Sequence, residues 1–276
     1  MTPITRGQKI FFVVAGLSAL WVGTWCFFVP SRVDWALPWL VPPLHARFLG
    51  AIYLSAAAFL AGGILARHYA EVRIMVRVAT IFTGMVFVLS LIHLGEIDNS
   101  GRLLFWIWFV AYLVYPLSGL WLIWRDRDGR KDDAGHSGAV PLRGEAGLPG
   151  WARGWLLTQG LVLALLGAAA LFVPASITIL WPWKITPLLA HIYLAPFLAY
   201  GAGSLMLSRQ RAWMEARVVV IGFFVFAVGA LAASIIHRGL FNFSGPAAWV
   251  WFGSFSVAAV MLGLMSARSI RAGGSS

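Results

Sequence analysis

Two histidines at matching places in the chain are the first candidates for chemistry. His93 lies in the pattern Ser90-x-Ile92-His93-x-Gly95, and His237 lies in the same pattern 144 residues later. Two imidazoles at equal depth on opposite sides of a central space are suited to contact a ligand, or to bind a haem iron axially. A histidine two residues before a glycine at a helix end is also suited to cap the last carbonyl groups of that helix. The sequence leaves these alternatives open.

Arg47 and His191 also occupy matching positions, next to loops that contain Trp39 and Trp183. A cation beside an aromatic loop stiffened by proline is suited to hold a lipid headgroup or an anionic substrate. Tryptophan is equally an ordinary anchor at a membrane surface. The candidate ligand-binding residues are therefore His93, His237, Arg47, His191, Trp39 and Trp183.

Catalytic motifs are missing from the sequence. The chain has no phosphate-binding Gly-Lys-Ser/Thr loop, no His-Glu-x-x-His and no Gly-x-Ser-x-Gly. His45 and His191 lie near enough to the candidate histidines to contribute to a metal site, but no set of metal ligands is predicted. We therefore expect a protein that is not an enzyme and has no resident cofactor, with haem b between His93 and His237 as the alternative.

The candidate residues belong to a longer internal repeat. The separation between matching residues is 144 up to the histidines and 143 beyond them. The matching segments outside the histidine patterns are Phe28-Val29-Pro30 and Phe172-Val173-Pro174, Pro38-Trp39 and Pro182-Trp183, Glu71-x-Arg73 and Glu215-x-Arg217, and Trp106-x-Trp108-Phe109 and Trp249-x-Trp251-Phe252. Such a repeat indicates a duplicated structural unit.

The elements that carry these residues are predicted to be membrane-spanning helices. The chain is 60% hydrophobic and 11% charged, and its apolar residues form eight blocks of about 20 residues, which suffice to cross about 30 Å of hydrocarbon. Four blocks fall in each copy, and an even number of crossings gives both copies the same orientation. The predicted fold is an all-α integral membrane protein with eight helices in two tandem, parallel four-helix repeats, related by a pseudo-twofold axis along the membrane normal.

The basic charge has an explanation in membrane topology. The formal net charge is +11, and 16 of the 21 Lys and Arg residues fall on one side of the predicted bundle. This bias places both termini in the cytoplasm, for which the bacterial inner membrane is the expected location. The expected partners are therefore membrane lipid and another membrane protein, not nucleic acid.

The predicted divisions are a first transmembrane repeat (1–124), a flexible cytoplasmic linker (125–153), a second transmembrane repeat (154–269) and a disordered tail (270–276). Near the cytoplasmic side, we expect Glu71 and Glu215 each to pair with a residue other than the arginine two positions later, for example one in the other copy, because residues two apart on one helix do not face each other. Close helix contacts are expected where Ala58-x-x-x-Gly62 and Ala199-x-x-x-Gly203 remove side-chain volume; the alternative is that the missing volume makes room for a ligand.

The expected function follows from these features. None of the eight blocks has an acidic residue in its middle, which argues against a proton-coupled or sodium-coupled transporter. We expect a non-enzymatic protein that binds or passes a small apolar or lipid-like ligand, or docks a partner, at an outer site between the repeats. The alternatives are a haem-binding redox subunit and a structural subunit of a membrane complex.

Overall fold

The computed structural model contains nine α-helices within the residues that it describes. It describes residues 2–95, 103–134, 148–210 and 212–273, without the side chains of 127–134, 187–188 and 268–273. The helices are α1 (Arg6–Phe28), α2 (Pro43–Leu65), α3 (Tyr69–Ile92), α4 (Leu103–Ala134), α5 (Gly150–Phe172), α6 (Pro174–Leu180), α7 (Pro187–Ser208), α8 (Trp213–Ile236) and α9 (Pro246–Gly273). Two short 3-10 helices cover Pro30–Trp35 and Arg238–Leu240.

Eight of these helices, all except α6, are long and apolar enough to cross a membrane. Helices are the expected form in lipid, because each segment satisfies its own backbone hydrogen bonds. The predicted class, an all-α integral membrane protein, is confirmed. The short helix α6 contributes to the packing, since its Ile177 is buried.

Four helices form the centre of the bundle. Helix α2 packs against α8, α3 packs against α7, and α3 also contacts α8. Each central helix carries one peripheral neighbour, α1 on α2, α5 on α7, α4 on α3 and α9 on α8. The two halves of the chain therefore meet through α2, α3, α7 and α8.

Glycines allow the halves to approach each other closely. A Cβ added at Gly62 would lie 2.8 Å from Val218, and one added at Gly203 would lie 2.6 Å from Val78. Both distances are shorter than any ordinary contact, so a larger residue at either glycine would push two central helices apart. The close contacts predicted at these small residues are confirmed, and they join the first half to the second.

One end of the bundle, called here the arginine end, is held by ion pairs. The carboxylate of Glu71 is 3% exposed, and it accepts hydrogen bonds from the backbone N–H groups of Arg67 and His68, each at 3.0 Å. It also pairs with Arg217 of the other half, as the sequence predicts. These partners compensate for burial of the charge.

Helix α4 continues beyond the point at which the sequence predicts a linker. Its helical backbone extends through Ala134, and Arg73 pairs with Asp126 at 3.0 Å. The ion pair anchors the first turn of α4 beyond the membrane. The charged residues that suggest a linker are therefore compatible with a helix. The rest of the predicted linker up to 147 lies outside the described residues, as do 274–276 of the predicted tail, while α9 extends through Gly273.

Candidate functional site

The two candidate histidines lie at equivalent helix ends. His93 follows α3 with φ −103° and ψ 22°, and His237 follows α8 with φ −107° and ψ 24°. Their backbone N–H groups donate to the carbonyl groups of Leu89 at 3.0 Å and Ala233 at 3.1 Å. Each histidine therefore ends its helix, and its imidazole projects at the end of the bundle opposite to the arginine end. We call this the histidine end.

The four polar residues predicted from the sequence form two pairs at the histidine end. Nε2 of His93 lies 2.9 Å from Nδ1 of His191, and Nη1 of Arg47 lies 2.6 Å from Nε2 of His237. Each pair joins the first half of the chain to the second. Burial, and then the nearby Arg47 guanidinium, lower the pKa of His237. Neutral His237 can therefore accept a hydrogen bond from Arg47.

The structure brings His93 and His237 to contacts with other residues instead of with each other. The Nε2 atoms of both histidines are occupied by these side-chain contacts, so a haem iron would have to displace His191 and Arg47. Among the described residues, no group of three or more His, Cys, Asp or Glu side chains is placed to hold a metal ion.

The two predicted tryptophans lie in equivalent aromatic contacts. Trp39 packs edge-on against Trp108 with ring centroids 4.8 Å apart, and Trp183 packs edge-on against Trp251 at 4.9 Å. Trp183 is only 6% exposed, and its Nε1 has no hydrogen-bond partner within the described part of the chain. This tryptophan is therefore buried in the bundle and is not a surface anchor.

A small cavity of about 70 Å³ lies near the histidine end, between α2, α3, α4 and α7. Of the predicted residues, His93 and Trp39 line it. His45 and Tyr193 also line it, and they are hydrogen-bonded to each other through Nδ1 and the phenol oxygen. The small cavity thus lies between the halves of the chain and contains polar groups from both.

A large cavity of about 590 Å³ lies deeper, between α1, α2, α3 and α4, and Ala199 and Tyr200 of α7 also line it. Its wall is mainly apolar. Leu17 and Trp21 of α1 and Ile107 of α4 border it and are 63%, 53% and 57% exposed, all within spanning helices. Because such surfaces face hydrocarbon, the large cavity opens toward lipid between α1 and α4.

Two tyrosines separate the cavities. The hydroxyl groups of Tyr53 and Tyr112 are hydrogen-bonded at 2.6 Å, and both side chains line the small and the large cavity. We call this pair the tyrosine neck. A molecule that occupied both cavities would pass it.

Sequence reasoning missed the large cavity and the tyrosine neck. A signal was present in the differences between the copies, because at matching positions the second half has Phe197 in place of Tyr53 and Phe255 in place of Tyr112. Hydroxyl groups in a spanning segment need partners and are informative where the other copy lacks them.

The chain was also compared with known proteins. No protein family, curated protein or solved structure matches it.

Proposed function

We propose that this integral membrane protein binds an apolar, lipid-like molecule in the large cavity and catalyses no reaction on it. The observation that carries the proposal is the cavity itself. Its volume of about 590 Å³ falls in the range of about 300 to 1,000 Å³ that is usual for ligand sites, and its wall is mainly apolar with a few hydroxyl groups. Its exposed border gives a lipid-soluble molecule a route from the membrane.

The fold that supports this site is, we propose, a pair of tandem parallel four-helix repeats. Helices α1 and α5 begin and end 144 residues apart, and so do α3 and α8. The pairs Arg47–His237 and His93–His191 exchange into each other under the same shift. The contacts of α2 with α8 and of α3 with α7 exchange likewise. These correspondences are what a pseudo-twofold axis between α3 and α8 requires.

The two repeats differ where the cavity lies. Ala56 and Ala79 line the large cavity, and the residues 144 positions later are Tyr200 and Phe223, which are 5% and 1% exposed. Small residues in one copy thus leave space that large residues fill in the other. If the two repeats arose by duplication, their helices began with the same side chains, and the difference in size arose later. This pattern favours a cavity that serves a function over an accident of packing.

The orientation of the protein remains as the sequence predicts. The bias of basic residues supports cytoplasmic termini in a bacterial inner membrane, with the arginine end inside and the histidine end outside. In this orientation the large cavity lies at the depth of the hydrocarbon, and the small cavity lies toward the outer surface. The predicted outer site between the repeats corresponds to the small cavity.

The proposal is tested by filling the cavity. Ala79→Phe places in the first half the residue that the second half carries at Phe223, and we expect it to abolish retention of a lipid-like molecule by the purified protein. Mass spectrometry of an organic extract measures what is retained. Val162→Phe is the matched control, since Val162 is 50% exposed on α5 and lines neither cavity. Equal retention by Ala79→Phe and the wild type would contradict the proposal.

A further inference from the structure

We infer that the ligand is an amphiphile with an uncharged, flat, hydrogen-bonding ring in the small cavity and an apolar chain in the large cavity. This inference rests on the proposed function and specifies the class of ligand. It depends on three properties of the small cavity, namely its fixed polar groups, its lack of charge and its aromatic wall.

The fixed polar groups are those of His45 and Tyr193. Both side chains are deeply buried, at 6% and 1% exposed, and they are joined by a hydrogen bond across the interface of the two halves. The Tyr193 ring is stacked on Trp181, with centroids 5.4 Å apart and an interplanar angle of 4°. A buried dyad that cannot rotate offers a hydrogen bond in a defined direction, which is how a mainly apolar site orients a ligand.

The small cavity has no permanently charged side chain in the wall that the described residues form. Among the described residues, none of the side chains that line it is Asp, Glu, Lys or Arg. Arg47 lies at the same end of the bundle but is paired with His237 and is not part of the wall. Because an unpaired charge is costly to bury, this cavity selects an uncharged head over a phosphate or an ammonium group.

Aromatic side chains form a substantial part of the wall of the small cavity. Trp39 and Trp108 pack edge to face, and the rings of His45 and Tyr193 are stacked. Aromatic faces and edges pack best against another flat ring. A ring that carries carbonyl or hydroxyl oxygens therefore satisfies both the wall and the dyad.

The chain of the ligand can pass between the cavities at the tyrosine neck. Tyr53 and Tyr112 border both cavities, and their hydroxyl groups are hydrogen-bonded to each other at 2.6 Å. An apolar chain passes when the two phenols separate, and their hydroxyl groups are then available to the oxygens of the ring. The neck thus couples binding of the head to entry of the chain.

The test uses two probes that differ only in the head. Decylbenzoquinone has ring carbonyl groups, whereas decylbenzene has the same chain on a plain ring. Binding of each to the purified full-length protein is titrated, and the probe retained after gel filtration is quantified by mass spectrometry. We expect the wild type to bind the quinone more tightly than the hydrocarbon. Tyr193→Phe and His45→Leu should each weaken quinone binding about tenfold and leave decylbenzene binding unchanged.

Tyr69→Phe is the matched control. Its hydroxyl is buried and has no hydrogen-bond partner among the described residues, and it lines neither cavity, so both probes should bind as they do to the wild type. If Tyr193→Phe and His45→Leu left quinone binding unchanged, or weakened both probes equally, the assigned head would be wrong while the proposed function stood. If the wild type bound neither probe while retaining a native lipid, the ligand class would be wrong. Failure to retain any lipid-like molecule would overturn the proposed function itself.

Discussion

The two halves of the bundle share a plan of helices and differ in what occupies the space between them. In the first half, α1 to α4 form most of the wall of a large cavity, which includes Ala56 and Ala79 and is completed by Ala199 and Tyr200 of α7. In the second half, the ring centroid of Tyr200 lies 4.5 Å from that of Phe223, and Tyr200 is stacked on Phe226 with centroids 4.6 Å apart. Under the proposed function, the first half holds the ligand, and the packed aromatic rings of the second half support the bundle.

The largest effect on the stability of the protein should come from removing a buried aromatic side chain in the second half. Phe223 is 1% exposed and contacts Phe59 of the first half as well as Tyr200, so Phe223→Ala should destabilise the protein by about 3–5 kcal/mol. Phe82→Ala is the comparison in the first half. Phe82 already borders both cavities, so its removal deletes fewer contacts. Unfolding in mixed micelles measures both variants, and equal losses would erase the distinction between a supporting and a binding half.

A smaller difference is expected at the arginine end. Glu71 accepts two backbone hydrogen bonds at the start of α3 and pairs with Arg217, whereas the N-cap of α8, Ala212, makes no side-chain hydrogen bond within the described residues. Glu71→Ala should therefore cost about 2 kcal/mol. Arg217 is 43% exposed, so the ion pair adds little to this figure. Glu215→Ala should cost well under half as much, and the same unfolding measurement compares them. Equal costs would mean that the carboxylates have equivalent roles.

The backbone of this fold could be predicted from the sequence more fully than its site. Apolar blocks fix the eight spanning helices, and the pairing of Glu71 across the halves follows from helix geometry. The partners of His93 could not be predicted, because contact with His191 depends on α3 packing against α7. Neighbours in a bundle are set by side-chain fit over many residues, which one sequence does not display.

The cavity also escaped prediction for a physical reason. Small residues in a spanning helix indicate either close packing or empty space. At Gly62 they bring Val218 of the other half into contact, whereas at Ala79 they line the large cavity. Both positions carry a small residue, and only the residue that faces it on the neighbouring helix decides between contact and cavity. Comparison of the two copies position by position separates the cases, because a large residue in one copy indicates that the other has room.

The smallest expected effect concerns the two pairs at the histidine end, which differ by one permanent charge. Burial, and then the nearby Arg47 guanidinium, lower the pKa of His237 below the ordinary histidine value of 6.5, so the unfolded chain binds a proton more readily than the folded one. Stability supplied by the Arg47–His237 pair is therefore present above pH 6.5 and is lost as the pH falls below it. Between pH 7 and 5, a range around the ordinary histidine pKa, the unfolding temperature of His237→Gln should depend less on pH than that of the wild type. His191→Gln, which alters the pair without an arginine, is the comparison; a pH dependence that His237→Gln left unchanged would assign the titration to another group.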